Sequence, residues 1–470
     1  MVPPGGRVGL VALALALALV IVAGCGGHGS RGGGSAPPTG GTLPPPSSAS
    51  LDLGAALTMA LGPAPVNWNQ LSAGAGGSPS MVTDQVLPSV FVVQPDYSLA
   101  LDTDVVTSAT ETSTDPQTVV YQINPKATWS DGVPFTAADF AYNWMAQSGN
   151  PSFSDLGGHP FTPASTTGYR DISAVASTPD SPDTATVTFS TPFPDWQTLF
   201  SDMVPAHIAT KVGFDGGFTD PVDDVVSAGP FLVASYTPGQ SLTLVRNARW
   251  WGPPASLSSV TFDFVSQPSV AGTALAVGQV GAIAVPPAAT LLTTVEASGA
   301  VRVDVGPSPA WEELAFNAAG PSGPPGGGPW LADANLRQAL MFAIDRSQMI
   351  ASTVGAYSPA TTPLGNRYLV PQQPGYADNS AGRFAHANLP AARALLAQAG
   401  YGMVGGALAR AGNDVALRLA TPGSAVDTSL AQAVATGAGA LGIAVTVDSG
   451  AAAAADMAVV DRTASPDLVQ

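Results

Sequence analysis

From residue 51 onward, segments with the two-residue period of strands alternate with segments of helical period. VVYQI (119–123), TATVTFS (184–190), SLTLV (241–245) and VTFDFV (260–265) are rich in β-branched and aromatic residues, as strands are. TAADFAYNWMAQ (136–147) opens with Thr136 and Asp139 at capping-box spacing, and Phe140 and Trp144 then lie one helical turn apart. NLRQALMFAIDRSQMI (335–350) carries Leu336, Ala339, Leu340, Ala343 and Ile344 at three-and-four spacing, which predicts one amphipathic helix. In NLPAARALLAQAG (388–400), Asn388 is placed as the cap, Pro390 falls in the first turn and Gly400 is the stop. The alternation predicts an α/β chain. A folded length of about 420 residues exceeds what one core usually holds, so at least two lobes are expected.

The segment before residue 51 has a different character. Arg7 precedes the apolar run VGLVALALALALVIVAG (8–24), which has the length of a signal-peptide core and is short for a membrane span. Ala23 and Gly24 then lead into Cys25, the only cysteine of the chain. Val22-Ala23-Gly24-Cys25 resembles the lipobox of bacterial lipoproteins, in which the cysteine thiol is acylated and the preceding peptide bond is cut. The alternative is an ordinary signal peptide or membrane anchor with an incidental cysteine. Each methylene of such a lipid buried in the bilayer adds roughly 0.8 kcal/mol, so two or three acyl chains would hold the protein at the membrane. Residues 26–50 (GGHGSRGGGSAPPTGGTLPPPSSAS) offer almost nothing to a core and read as a disordered tether, stiffer where the prolines run. A second low-complexity run, GPSGPPGGGP (320–329), reads as a surface loop.

Charge and motif content narrow the function. The net charge of −17 argues against nucleic acid and against an electrostatic grip on anionic lipid. Once Cys25 is lipidated, the folded part holds no thiol, so it has no disulfide, thiolate nucleophile or cysteine metal site. No HExxH, GxSxG or GxxxxGK[ST] occurs, and the histidines at 28, 159, 207 and 386 show no metal-ligand spacing. No cofactor is indicated, and an enzyme is not expected.

Four stretches, in order, resemble the solute-binding proteins of peptide and nickel ABC importers, known as solute-binding protein family 5. YQINPKATWSDGVPFTAADFAYNW (121–144) is similar to the family signature through Asp131, Gly132, Pro134, Thr136, Ala137 and Asp139. SAGPFLVASYTPGQSLTLVRNARWWG (227–252) matches at Gly229, Pro230, Arg246, Asn247 and Trp251. LAFNAAG, followed by NLRQALMFAIDRSQMI, matches at Phe316, Asn317, Arg337, Ala339, Ala343, Asp345 and Arg346. ARALLAQAGY (392–401) is the fourth. VLPSVF, TPFPDWQTLFSDMVPAHI and RNARWWGPP look like an actinobacterial subgroup that includes a lipoprotein linked to mannolipid assembly. The residues themselves read mainly as fold determinants. Asp131-Gly132 is a turn, Arg246-Asn247 ends a strand, Trp250-Trp251 packs under a lobe, and Asp345-Arg346 sits late in a helix.

The resemblance implies a periplasmic-binding-protein-like bilobed fold of class II, whose lobes close over a ligand, with an extra small domain. Mapped onto this chain, 1–25 is the lipoprotein signal peptide and 26–50 the tether. Lobe I takes 51–80 and 171–255, the small domain takes 81–170, and lobe II runs over 256–470. The family continues beyond the equivalent of residue 470, so the C-terminal part is expected to be truncated and lobe II incomplete. The implied function is that of a lipid-anchored, extracytoplasmic solute-binding component of an ABC importer, binding oligopeptides. Its partners are a peptide or other small solute, permease subunits and the membrane through the lipid anchor, with the protein itself a monomer. A transport-independent envelope scaffold in cell-wall glycolipid assembly is the alternative.

Candidate ligand contacts are Asn67 and Trp68, in VNWNQ where the family carries an "NP", together with Trp311 and Trp330. The other reading of the tryptophans, and the commoner one for such residues, is core or lid packing. The family's acidic "GE-x-D" is replaced by Gly278-Gln279-Val280-Gly281. ADMAVVDRTASPDLVQ (455–470) resembles the strand and loop that carry an aspartate for a peptide's N-terminal ammonium, which makes Asp461 and Asp467 candidates. The other reading of both is solvated terminal acids.

Overall fold

A computed structural model describes residues 54–76, 79–285, 289–299, 301, 309–319, 330–355, 358, 360–449 and 455–463. Cys25, the tether, the 320–329 stretch and Asp467 lie outside the described residues. The described residues divide into two units, one built from those within 54–95 and 99–301, the other from 96–98 and those within 309–463.

The first unit contains β1 (Ala56–Leu61), β2 (Phe91–Val93), β3 (Leu99–Leu101), β4 (Val106–Thr114), β5 (Gln117–Ile123), β6 (Ile172–Thr178), β7 (Ser181–Phe189), β8 (Phe231–Thr237), β9 (Ser241–Arg246), β10 (Ser259–Phe264) and β11 (Ala282–Ala284). Its helices are α1 (Ser80–Thr83), α2 (Ala137–Gln147), α3 (Ala206–Val212), α4 (Pro268–Ala276) and α5 (Ala289–Ala297). One sheet has the order β11-β1-β10-β9-β8, and a second the order β4-β5-β7-β6. β10 pairs in parallel with β1 and antiparallel with β9. β10 and β11 flank β1 in parallel and so satisfy the backbone groups on both of its edges. The core packs Trp68, Tyr121, Trp129, Phe140, Phe200 and Phe214, all with relative exposures of 1% or less.

Local sequence explains these elements. β5 alternates fully, with Val119, Tyr121 and Ile123 buried and its even-numbered neighbours half-buried. At the start of α2, Thr136 accepts from backbone amides while Asp139 accepts from the Thr136 amide, completing the capping box. Gly132 has φ +95°, which a side chain resists, and Asp131 accepts from the Val133 amide to close the turn. The Gly-Pro and Arg-Asn motifs interlock. Asn247 Nδ2 donates to the Gly229 carbonyl at 2.9 Å, and the Asn247 amide donates to the Pro230 carbonyl at 2.9 Å.

The second unit contains β12 (Ala310–Phe316), β13 (Gly402–Val404), β14 (Ala407–Arg410), β15 (Asn413–Asp414), β16 (Ala416–Ala420), β17 (Ala444–Asp448) and β18 (Met457–Thr463). Its helices are α6 (Ala334–Ala343), α7 (Arg346–Thr353), α8 (Leu389–Gln398) and α9 (Ala425–Gly439). The main sheet has the order β12-β18-β16-β17. The expected cap at Asn388 and stop at Gly400 (φ +79°) frame α8. The single helix expected over 335–350 is instead two. Ile344 and Asp345 are extended, and Asp345 caps α7 by accepting from the Gln348 amide at 2.8 Å. Arg346 donates to the carbonyls of Phe384 and Leu364.

Candidate functional site

In the second unit, β12 runs antiparallel to β18, with Trp311 opposite Arg462, Glu312 opposite Asp461 and Glu313 opposite Val460. Side chains alternate between faces along each strand. Leu314 and Phe316 pack on the core with Met457 and Val459. Trp311 and Glu313 therefore share the other face with Arg462. There, Glu313 Oε1 accepts from Arg367 at 3.3 Å, and its Oε2 lies 3.6 Å from Arg462 Nε. Two guanidiniums, one from β18 and one from the 366–369 segment, meet one carboxylate of the edge strand β12 beside an indole. Such a face can take a carboxylate through a charge-assisted bidentate contact and stack an apolar group alongside.

Other expected residues fall elsewhere. Trp330 is buried in the second unit's core, its ring 6.4 Å from that of Tyr401. Beside it, Arg410 donates to Asp333 Oδ2 at 2.6 Å and lies over the Tyr401 ring at 5.1 Å. Burial works against the charge on Asp333, but the Asn335 amide, the Tyr401 hydroxyl and Arg410 outweigh it and hold its carboxyl below the usual carboxylate range.

Asn67 and Trp68 follow β1 in the first unit, and both are buried. Asn67 Nδ2 donates to the Asp215 carbonyl at 2.8 Å, while its Oδ1 accepts from the Asn69 amide. The Trp68 ring meets Tyr236 edge-on at 5.4 Å. The residue of this segment that faces outward is Val66, at 73% exposure. The expected candidates thus split between the units: Asn67 and Trp68 in one, Trp311, Trp330 and Asp461 in the other. Glu313, Arg367 and Arg462 were missed. Period-two alternation from Trp311 points to Glu313, and Arg462 adjoins Asp461; nothing local points to Arg367.

A second set of perturbed groups lies in the first unit. Asp202, 2% exposed with φ +48°, shares a hydrogen bond with Asp84, and Gln70 contacts both. Burial pushes the Asp202 carboxyl up to about 6, and burial plus the neighbouring Asp202 charge pushes Asp84 well above the usual range. Asp131, by contrast, is held low. Its partial burial is outweighed by the Val133 amide and by His207, whose Nε2 lies 2.8 Å away. Among the described residues, no group of three or more His, Cys, Asp and Glu side chains is disposed to hold a metal ion, and no helix is long and apolar enough to cross a membrane.

The family description "bacterial extracellular solute-binding proteins, family 5 Middle" matches residues 100–465. The oligopeptide-binding protein OppA of Mycobacterium tuberculosis is 32% identical over 342 residues, 71% of this chain and 54% of that protein. The probable monoacyl phosphatidylinositol tetramannoside-binding protein LpqW of the same species is 30% identical over 301 residues, 62% of this chain and 44% of that protein. Among solved structures, the periplasmic EDTA-binding protein EppA superposes with a TM-score of 0.74 at 30% identity, covering 91% of this chain and 81% of that one. The oligopeptide-binding protein AppA of Bacillus subtilis, solved with a nonapeptide, has a TM-score of 0.65 at 17% identity, covering 89% of this chain and 81% of that one.

The chain therefore belongs to family 5 of the bacterial extracellular solute-binding proteins, and the α/β periplasmic-binding fold expected from its four motifs is the fold it has. Solute-binding proteins of this family are not enzymes. The chain spans about half the length of the curated relatives it matches.

Proposed function

We propose that this chain is the lipid-anchored, extracytoplasmic solute-binding component of an ABC importer and that its cargo is oligopeptides. The observation that carries this reading is the 32% identity to an oligopeptide-binding protein over 71% of the chain. The Trp311, Glu313, Arg367 and Arg462 face adds a chemical reason. A peptide's terminal carboxylate would take the place of Glu313 as partner to one guanidinium, and Trp311 would cover an adjacent side chain. In this proposal Asp467 serves the opposite, ammonium end, and Cys25 carries the lipid that holds the protein at the membrane.

Calorimetric titration with matched peptides tests it. Free-acid peptides should bind about tenfold more tightly than their C-terminal amides, the scale of one hydrogen bond to a charged group. Arg462→Ala should abolish that difference. Equal affinity for acid and amide in the unaltered chain would remove Arg462 from the site, and no binding of any peptide would remove the oligopeptide reading.

The similarity to LpqW favours one second reading, a transport-independent envelope lipoprotein engaged with a glycolipid. Protein that retains a mannosylated lipid and takes up no added peptide would establish it.

A further inference from the structure

An open groove of about 450 Å³ in the first unit is lined by Asp104, Phe231, Trp250, Pro253, Pro254 and Leu257. Small-molecule sites run from about 300 to about 1,000 Å³. Gly252 brings the acidic and aromatic parts of this one together. A Cβ added there would lie 2.5 Å from Trp250 Cζ2 and 2.7 Å from Asp104 Oδ2, so any side chain would push the indole and the carboxylate off the same spot. Trp251 Nε1 donates to the Asp104 carbonyl at 2.6 Å, and the Trp250 ring packs on that of Trp251 at 4.6 Å. Arg246 holds the 255–257 wall, donating to the carbonyls of Ala255 and Leu257 at 2.9 Å each and to that of Ser256 at 2.8 Å.

Most donors around the groove are spent. Trp250 Nε1 donates to the Pro253 carbonyl at 2.9 Å. The amides of Phe231 and Trp250 donate to the carbonyls of Gln85 and Asn247, and that of Asp104 to Asp102 Oδ1 at 3.0 Å. Pro253 and Pro254 have no N–H. An anion would find little to hold it and would face Asp104. Among the described residues, no Lys, Arg or His forms an ion pair with Asp104 or Asp102. Burial and the Asp104 charge together push the Asp102 carboxyl up, against the amides of Asp104 and Val105. The half-buried Asp104 carboxylate thus calls for a cation.

The walls decide which kind. A primary ammonium gives up water on three N–H groups and needs acceptors in exchange. The lining side chains offer the Asp104 carboxylate and the Ser256 hydroxyl, and the carbonyls of Pro253 and of 255–257 each already accept a bond. A quaternary ammonium has no N–H to satisfy. Its methyl groups can pack on Phe231, Leu257 and the prolines, and aromatic rings attract its charge.

We infer that the Trp250 groove binds a free quaternary-ammonium solute, with Asp104 as its counter-ion. The site lies wholly in the first unit and uses none of the residues assigned above to a peptide, so it stands apart from the oligopeptide reading.

The test uses the purified chain labelled with 5-fluorotryptophan. Fluorine NMR gives one signal for each of eight tryptophans, and Trp250→Phe and Trp251→Phe assign this pair. Choline, titrated at constant ionic strength, should shift the Trp250 signal saturably and leave the tryptophans outside the pair in place. Its neutral carbon isostere, dimethylbutanol, and the primary amine ethanolamine should each bind about tenfold more weakly. Asp104→Asn, nearly the same in shape, should weaken choline by a similar factor, with the distant signals unchanged to report an intact fold. A Trp250 signal that choline does not move overturns the inference. So does equal binding of the alcohol, which would make the groove merely apolar, equal binding of ethanolamine, or undiminished choline binding by Asp104→Asn.

Discussion

Two carboxyls that share a buried site make a clear single-residue prediction. Folding raises the Asp202 carboxyl to about 6 from an ordinary 3.8, so the native state binds more protons than the unfolded chain between those values. Its contribution to stability is therefore present at low pH and is lost as the pH rises through that window. Asp202→Asn keeps a hydrogen-bonding group that tolerates the positive φ and removes the charge. The variant is expected to gain on the unaltered chain between about pH 4 and about pH 7, by on the order of 2 kcal/mol. Denaturant melts of both proteins across that range check this, and parallel pH curves would show that Asp202 does not titrate in the folded state. Nothing in the sequence marked this pair: Asp84 and Asp202 are far apart in the chain, and an acidic protein supplies many solvated aspartates. Asp131-Gly132 was legible because a turn is a local event. The Asn67–Trp68 segment was only partly so, since sequence does not say which of Val66, Asn67 and Trp68 faces out.

Elements were legible where the signal is local and misread where two local signals compete. The apolar spacing through Ile344 extends a helix past Ala343, but Asp345 with Gln348 three residues on is itself an N-cap signal, and it starts α7 afresh. At α2 both signals agree. Thr136→Ala should cost about 1 kcal/mol. Asp139→Ala should cost more, because the carboxylate also accepts from the Ala206 amide at 3.0 Å and so ties α2 to α3. Thermal unfolding of the two variants orders them; equal losses would mean the second tie is worth nothing. In α9, alanine would ordinarily gain roughly 1 kcal/mol over glycine. A Cβ on Gly437, however, would sit 2.7 Å from the Ala343 carbonyl of α6. Gly437→Ala is therefore expected to destabilise by about 1–3 kcal/mol. Gly439→Ala, with nothing within 4 Å of its Cβ, should not, which makes it the control.

At the scale of the whole molecule, family membership was readable because four weak motifs stand in a fixed order, and each falls on an element of the fold: a capped turn, an interlocked strand pair, and helices α6, α7 and α8 of the second unit. The pairing of two guanidiniums with Glu313 was not readable, because Arg367 reaches Glu313 from 54 residues away. The proposed lipid anchor belongs to the same scale. Cys25→Ser should lose acylation and leave the membrane fraction; a variant that stays membrane-bound would show that Cys25 is not what holds it. The claim on which everything functional rests is that the chain holds oligopeptides. Native mass spectrometry of the purified chain addresses it most directly. The expected spectrum shows mass excesses that match short peptides, are released on mild unfolding and return when peptides are added. A bare-chain mass that stays bare in saturating peptide would contradict it.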